Sequence, residues 1–162
     1  MRLKPLCLRK DGSPIRILHI GHHFCIRNIK QARALKKKGY SVDAFTNRIS
    51  YGMETYDRVF YYNDTRQYKN MINDIKDWYD IVQCANEPDF MLVLAHQAKV
   101  KNLVHDCHDL DSVRLGMANL DEIKVFQQAS GAIFVSKPVE DFAKNLYNFK
   151  FPSAVLYHTP FS

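Results

Sequence analysis

The stretch Asn102-Leu-Val-His105-Asp106-Cys107-His108-Asp109-Leu110-Asp111 gathers two imidazoles and three carboxylates just behind an apolar pair. An apolar run that breaks into alternating His and Asp reads as a buried strand whose carboxyl end opens into a site. Open α/β sheets bind ligands in the crevice beyond those ends, near the point where strand order reverses. Packing alone does not account for so many titratable groups, although an Asp after a short strand also serves as a helix cap. One chemistry open to these residues is metal binding. His22, His23, His105, Cys107, His108 and Asp109 are ligand types suited to zinc or iron. Their spacing argues against it, because no H-E-x-x-H or C-x-x-C occurs and alternate strand residues face opposite sides. No metal site is therefore expected.

Three further segments deliver polar residues at the end of an apolar run. Ile15–Ile20 ends in Gly21, His22 and His23, Asp80–Cys84 leads to Asn86 and Glu87, and Gly131–Val135 leads to Ser136. A glycine at position 21 allows a phosphate to approach a helix N-terminus closely. The dinucleotide fingerprint G-x-G-x-x-G is missing, so NAD or FAD is not implied. No G-x-S-x-G elbow exists for a serine nucleophile. Ser136 before Lys137-Pro138 reads as a helix cap.

The elements that must position these residues alternate along the chain. Asp11-Gly12-Ser13-Pro14 is turn chemistry, closing a loose lead-in over residues 1–14. Strands are predicted at 15–20, 41–46, 58–62, 80–84, 103–109, 131–135 and 154–157. Helical spacing falls between them, starting at Asn28 as N-cap and ending before Gly39, then at 66–78, 88–98, 120–129 and 139–147. Strands alternating with helices predict a doubly wound, Rossmann-like α/β domain with a mainly parallel sheet over residues 15–162.

Composition sets the remaining bounds. The 162 residues are 46% hydrophobic and 25% charged, ordinary for one globular domain. The net charge of +6 favours anionic partners, and Arg27, Lys30, Arg33, Lys36, Lys37 and Lys38 crowd one segment. Within it Lys30, Arg33 and Lys37 form a basic helix stripe, a candidate for weak peripheral contact with acidic lipid. Nucleic acid is not the expected partner, because the tyrosines lie inside apolar patterns and no binding motif emerges. Four scattered cysteines, and an N-terminus without a signal-peptide core, read as a reduced, cytoplasmic protein.

Several segments together resemble the opening domain of family-4-type retaining glycosyltransferases of GT-B fold. They are Ile17-Leu-His-Ile-Gly21, Ala32 through Gly39 to Thr46, Tyr79-Asp-Ile-Val-Gln-Cys-Ala-Asn-Glu-Pro88, Val104-His-Asp-Cys-His-Asp-Leu110 and Ala129-Ser-Gly-Ala-Ile-Phe-Val-Ser136. The resemblance implies the acceptor-side half of such an enzyme, acting without a cofactor or metal on a nucleotide-sugar donor and a sugar or lipid-linked acceptor. It implies that Gly21 and His22 lie against the donor diphosphate. His108 and Asp109 would stand at the transfer centre, and Glu87 and His23 would face the acceptor. The E-x7-E nucleotide-sugar site of the family's second domain has no counterpart in these residues, so the expectation is a chain that works with a separate donor-binding domain or subunit. A non-catalytic binding or scaffold module that kept the fold is the alternative, and a metal-dependent hydrolase using the His/Asp cluster a more remote one.

Overall fold

The computed structural model describes residues 8–86 and 88–157. Short β-branched and apolar runs form seven strands: β1 (Arg16–Gly21), β2 (Ser41–Thr46), β3 (Val59–Tyr61), β4 (Ile81–Ala85), β5 (Leu103–Cys107), β6 (Gly131–Phe134) and β7 (Ser153–Val155). The intervening periodic segments form α1 (Ile26–Lys37), α2 (Thr65–Ile75), α3 (Phe90–Gln97), α4 (Asp111–Leu115), α5 (Leu120–Gln128) and α6 (Lys137–Tyr147). All strand pairs are parallel, in the order β3-β2-β1-β4-β5-β6-β7. The predicted doubly wound α/β architecture is therefore the observed one. Strand order reverses between β1 and β4, which pair directly with His19 opposite Gln83. A crevice at their carboxyl ends is the geometric consequence.

Alternation along each strand decides what each face buries. Ile17, Val42 and Ala44 face α1 and pack on its Ile29 and Ala32. Leu18, Ile20, Phe45, Val82 and Leu103 face the other way, into a core with Tyr68 and Ile72 of α2, Met91 and Leu92 of α3 and Val125 of α5. A third cluster joins Cys107, Ala132 and Phe134 to Phe126 of α5 and Ala143 of α6.

Several boundaries differ from the sequence reading for local reasons. The first helix starts two residues before Asn28. Cys25 is its N-cap, while Asn28 sits at the third helical position and its Oδ1 accepts from the Cys25 amide at 3.2 Å. The predicted 66–78 helix tightens into a 3-10 turn over Lys76–Trp78. The short α4 lacks the length for a legible periodicity and was not predicted. Gly39 takes φ of +92°, the left-handed C′ geometry expected of it. Ser136 caps α6, its Oγ accepting from the Val139 amide at 3.4 Å.

Phe126 organises the β6–β7 side of the fold. It is 4% exposed and its ring lies 4.6 Å from Tyr147 and 5.5 Å from Phe149, both nearly parallel to it. Phe126→Ala should lower unfolding stability by about 3 kcal/mol or more in urea titration, the cost of a large unfilled core cavity. A loss under about 1 kcal/mol would show that this edge contributes little to cooperative folding.

Candidate active site

The α1 face of the sheet is not uniformly apolar. His19 of β1, Gln83 of β4 and Asp106 of β5 point the same way, beneath Arg27, Asn28 and Gln31 of α1, and all six are buried. Asp106 is 0% exposed and lies at the centre. Its Oδ1 is 3.4 Å from Arg27 Nη2, and its Oδ2 accepts from Asn28 Nδ2 at 3.1 Å and Gln83 Nε2 at 3.3 Å. The same Oδ2 is 3.1 Å from His108 Nε2. Burial pushes this carboxyl upward, but the His108 hydrogen bond and the His108, Arg27 and His19 charges outweigh it and hold it below its ordinary value.

His108 follows β5 on the same side as Asp106, two residues on. Its side chain is 28% exposed, with Nε2 on Asp106 and Nδ1 facing Cys25. Burial alone would lower its pKa. The Asp106 and Cys25 contacts reverse this and raise it to about 9, so the ring is an imidazolium at neutral pH. An imidazolium has no free lone pair; it donates and does not abstract a proton. The loop carrying it is clamped by Asn86, whose Oδ1 accepts from the His108 amide at 2.9 Å and whose Nδ2 donates to Asp109 Oδ1 at 2.9 Å.

His108 Nδ1 lies 3.9 Å from Cys25 Sγ, so the loop after β1 meets the loop after β5 across the end of β4. The segment that contains Gly21 and the segment that contains His108 therefore border one crevice. At Gly21 the space a Cβ would fill is taken by the chain's own Phe24, whose Cε1 would be 2.9 Å away. That internal contact is sufficient reason for glycine there. His22 is turned toward β3, with Nδ1 3.1 Å from Tyr62 Oη, and its carbonyl accepts from the Arg48 amide at 3.0 Å. Burial, then the Arg48 and His23 charges, lower the His22 pKa. His23 is exposed, and Glu87 lies outside the described residues.

The three carboxylates that stood together in the sequence do not converge. Asp106 turns under α1, Asp109 turns to Asn86, and Asp111 pairs with Arg114 Nη2 at 2.5 Å. His105 points to the opposite face, edge-on to Phe126 at 5.3 Å, and burial lowers its pKa to about 4. Among the described residues no group of three His, Cys, Asp or Glu side chains converges as metal ligands. Arg27, one of the basic residues that crowd this segment, is buried against Asp106 and donates to the Leu156 carbonyl at 2.7 Å. Sequence reasoning missed Asp106 and Cys25 as parts of the site. The i, i+2 spacing of Asp106 and His108 was the available signal for the first, and nothing local marked the second.

Beside Asp109 lies a cavity of about 300 Å3, lined by Leu110, Val113, Arg114, Pro138, Val139 and Phe142. A larger one of about 740 Å3 shares Val113 and Phe142 and continues over Met117, Ile123, Leu146 and Tyr147. Both are mainly apolar and lie to one side of the polar crevice. No helix among the described residues is long and apolar enough to cross a membrane.

No family model and no curated protein sequence matches this chain. Among solved structures it is similar to a sucrose-phosphate synthase from Thermosynechococcus elongatus, with a TM-score of 0.57 and 16% identity over 90% of each chain. At that identity the likeness is one of fold, and it supports a GT-B-like arrangement of this sheet and its helices.

Two measurements follow from the buried cluster. Arg27→Met should cost about 3 kcal/mol in urea titration, because it strands a buried carboxylate. Arg33→Met, on the exposed side of α1, should change stability by less than about 0.5 kcal/mol. Equal costs would contradict the assignment. By NMR titration His108 should stay protonated to about pH 9, whereas His19 and His105, lowered by burial, should stay neutral down to about 4. The His108 contribution to stability is full below the ordinary pKa of about 6.5 and is lost as pH rises through about 9. In Asp106→Asn the His108 midpoint should fall by more than one pH unit; an unchanged midpoint would remove Asp106 as its cause.

Proposed function

We propose that this chain is the acceptor-side half of a glycosyltransferase, taking a sugar from a nucleotide-sugar donor held by a separate domain or subunit. The observation that carries this reading is the placement of His108 as a cationic donor, braced from behind by Asp106, at the mouth of the switch-point crevice. In glycosyl transfer, positive charge builds on the sugar ring while negative charge builds on the departing diphosphate. An imidazolium suits oxygens that gain electron density, either a phosphate oxygen or a sugar hydroxyl, and it is already oriented before reaction. Gly21 and His22 at the end of β1 are the proposed diphosphate side. Asp109, with Glu87 and His23, is the proposed acceptor side.

The cavity beside Asp109 supports an acceptor with an apolar portion, such as a lipid-linked sugar. Five of its lining side chains offer hydrocarbon. The Arg33 and Lys37 side chains are exposed on α1 beside Lys30. Each cation near an acidic leaflet contributes on the order of 1 kcal/mol, so a weak peripheral contact at the cytoplasmic membrane face belongs to the same proposal. Half a cleft does not hold both reactants in attack geometry, and turnover therefore depends on the donor-binding partner.

The test is transfer by the chain reconstituted with a donor-binding protein that co-purifies with it. His108→Ala should reduce the rate by about 100- to 1,000-fold with little change in melting temperature. His105→Ala should lower stability by roughly 2 kcal/mol and leave the residual activity of the folded fraction intact. Unaltered transfer in His108→Ala would overturn the reading. So would robust turnover by the isolated chain with a nucleotide sugar. A chain that binds sugar ligands but transfers none with any partner would instead be a binding module.

A further inference from the structure

We propose that Cys25 is a reactive thiolate and a site of peroxide modification, ionised by a relay through His108 to Asp106. The three groups form a line: Cys25 Sγ is 3.9 Å from His108 Nδ1, and His108 Nε2 is 3.1 Å from Asp106 Oδ2. This is the arrangement of a thiolate–imidazolium pair, in which the cationic ring beside the sulfur is oriented by a third group. Asp106 is itself immobilised by Arg27, Asn28 and Gln83, so the far end of the relay does not move. Cys25 is also the N-cap of the twelve-residue α1, and the Arg27 and Asn28 amides face its sulfur. Helix amides and an imidazolium both stabilise a thiolate over a thiol.

The local alternatives are few. As a thiol, Cys25 donates to Asn28 Oδ1 at 3.2 Å; as a thiolate it gives up that contact and accepts from His108. Burial favours the thiol, but the His108 hydrogen bond, the helix amides and the His108 charge more than reverse it, and hold the group below its ordinary value. The other titratable or charged groups around the relay are His105 on β5, Arg27 on α1, His19 on β1 and Tyr56, which faces His19 at 3.1 Å. Cys84 and Cys107 are fully buried, and burial pushes their thiols well up. Cys25 is half-buried beside a partly exposed His108, so a small oxidant reaches it.

The step balances within the pair. The thiolate attacks one peroxide oxygen, an S–O bond forms, and the O–O bond breaks. The departing hydroxide takes the imidazolium proton and leaves as water. Sulfur is oxidised by two electrons, peroxide is reduced by two, and the products are a sulfenic acid and a neutral His108. A small thiol restores the cysteine. Resting on the transferase reading, this makes Cys25 a switch, because oxidation replaces the thiolate beside His108 Nδ1 with a bulkier, neutral sulfenic acid, while Asp106 lets the ring regain its proton from solvent.

The test needs no donor, acceptor or partner, so it stands or falls apart from the transferase reading. Iodoacetamide labelling of the full chain, followed by peptide mass spectrometry from pH 5 to 9.5, gives the ionisation midpoint of Cys25. The expected result is a thiolate fraction at pH 7 at least about tenfold that of free cysteine, whose pKa is about 8.5. A smaller excess overturns the proposal. His108→Gln should return the midpoint to that of an ordinary thiol, and Asp106→Asn should move it in the same direction. Dimedone should trap a sulfenic acid at Cys25 after dilute hydrogen peroxide, and at least about fivefold more slowly in His108→Gln. Equal trapping in the two chains, or trapping at Cys84 or Cys107 instead, would sink the relay. The wild-type pH profile decides the matter even if a variant misfolds.

Discussion

The arrangement at the centre of this protein depends on one buried carboxylate. Asp106 lies mid-sheet with no exposed surface, among Arg27, Asn28, Gln83 and His108. A buried charge is costly unless paired and hydrogen-bonded, and the partners here come from α1, β4 and the loop after β5. The requirement to satisfy it fixes where the first turn of α1 sits over the sheet. It fixes the register in which β4 presents Gln83. It also fixes the direction in which the loop after β5 leaves. Few of these constraints are hydrophobic, which distinguishes this face from the opposite one.

The two faces divide the work. The face under α2, α3 and α5 is mainly apolar, and burial of Leu18, Phe45, Val82 and Leu103 there supplies non-directional stability. The face under α1 begins apolar at Ile17 and Val42 and becomes polar toward the carboxyl ends at His19, Gln83 and Asp106. Directional hydrogen bonds are suited to positioning, because an unpaired buried donor or acceptor carries a large penalty. Asn86 extends the same logic to the rim. It ties the His108 amide and the Asp109 carboxylate to one side chain, so two loop residues keep a fixed relation.

Charge at the rim follows from charge at the centre. Asp106 keeps His108 protonated, and His108 in turn polarises Cys25. A chain of this kind transmits a change at either end. Neutralising the carboxylate lowers the imidazole, and removing the thiolate changes what the outer ring edge faces. The crevice is therefore an electrostatic unit of three side chains drawn from the N-cap of α1, from β5 and from the loop after it, bordered by Gly21 and His22 at the end of β1.

The architecture was legible in the amino-acid pattern alone. Seven short apolar runs interleaved with helical periodicity were sufficient for the parallel α/β fold, because strand and helix periods are local properties of the chain. That pattern also located the crevice, since polar residues after buried strands collect at carboxyl ends. Alternation along β5 and the turn after it separate the two histidines, His105 inward and His108 at the mouth. Partnership between distant side chains was not legible in that pattern. Arg27 read as one of a crowd of basic residues, Asn28 as a cap and Cys25 as a scattered cysteine, yet they sit about eighty positions from the residues they contact. Whether a charge is solvated or buried depends on which segment folds over it, and no local pattern encodes that distance. The three clustered carboxylates show the converse, since neighbours in sequence were sent to separate partners by the alternation of β5 and the turn that follows it.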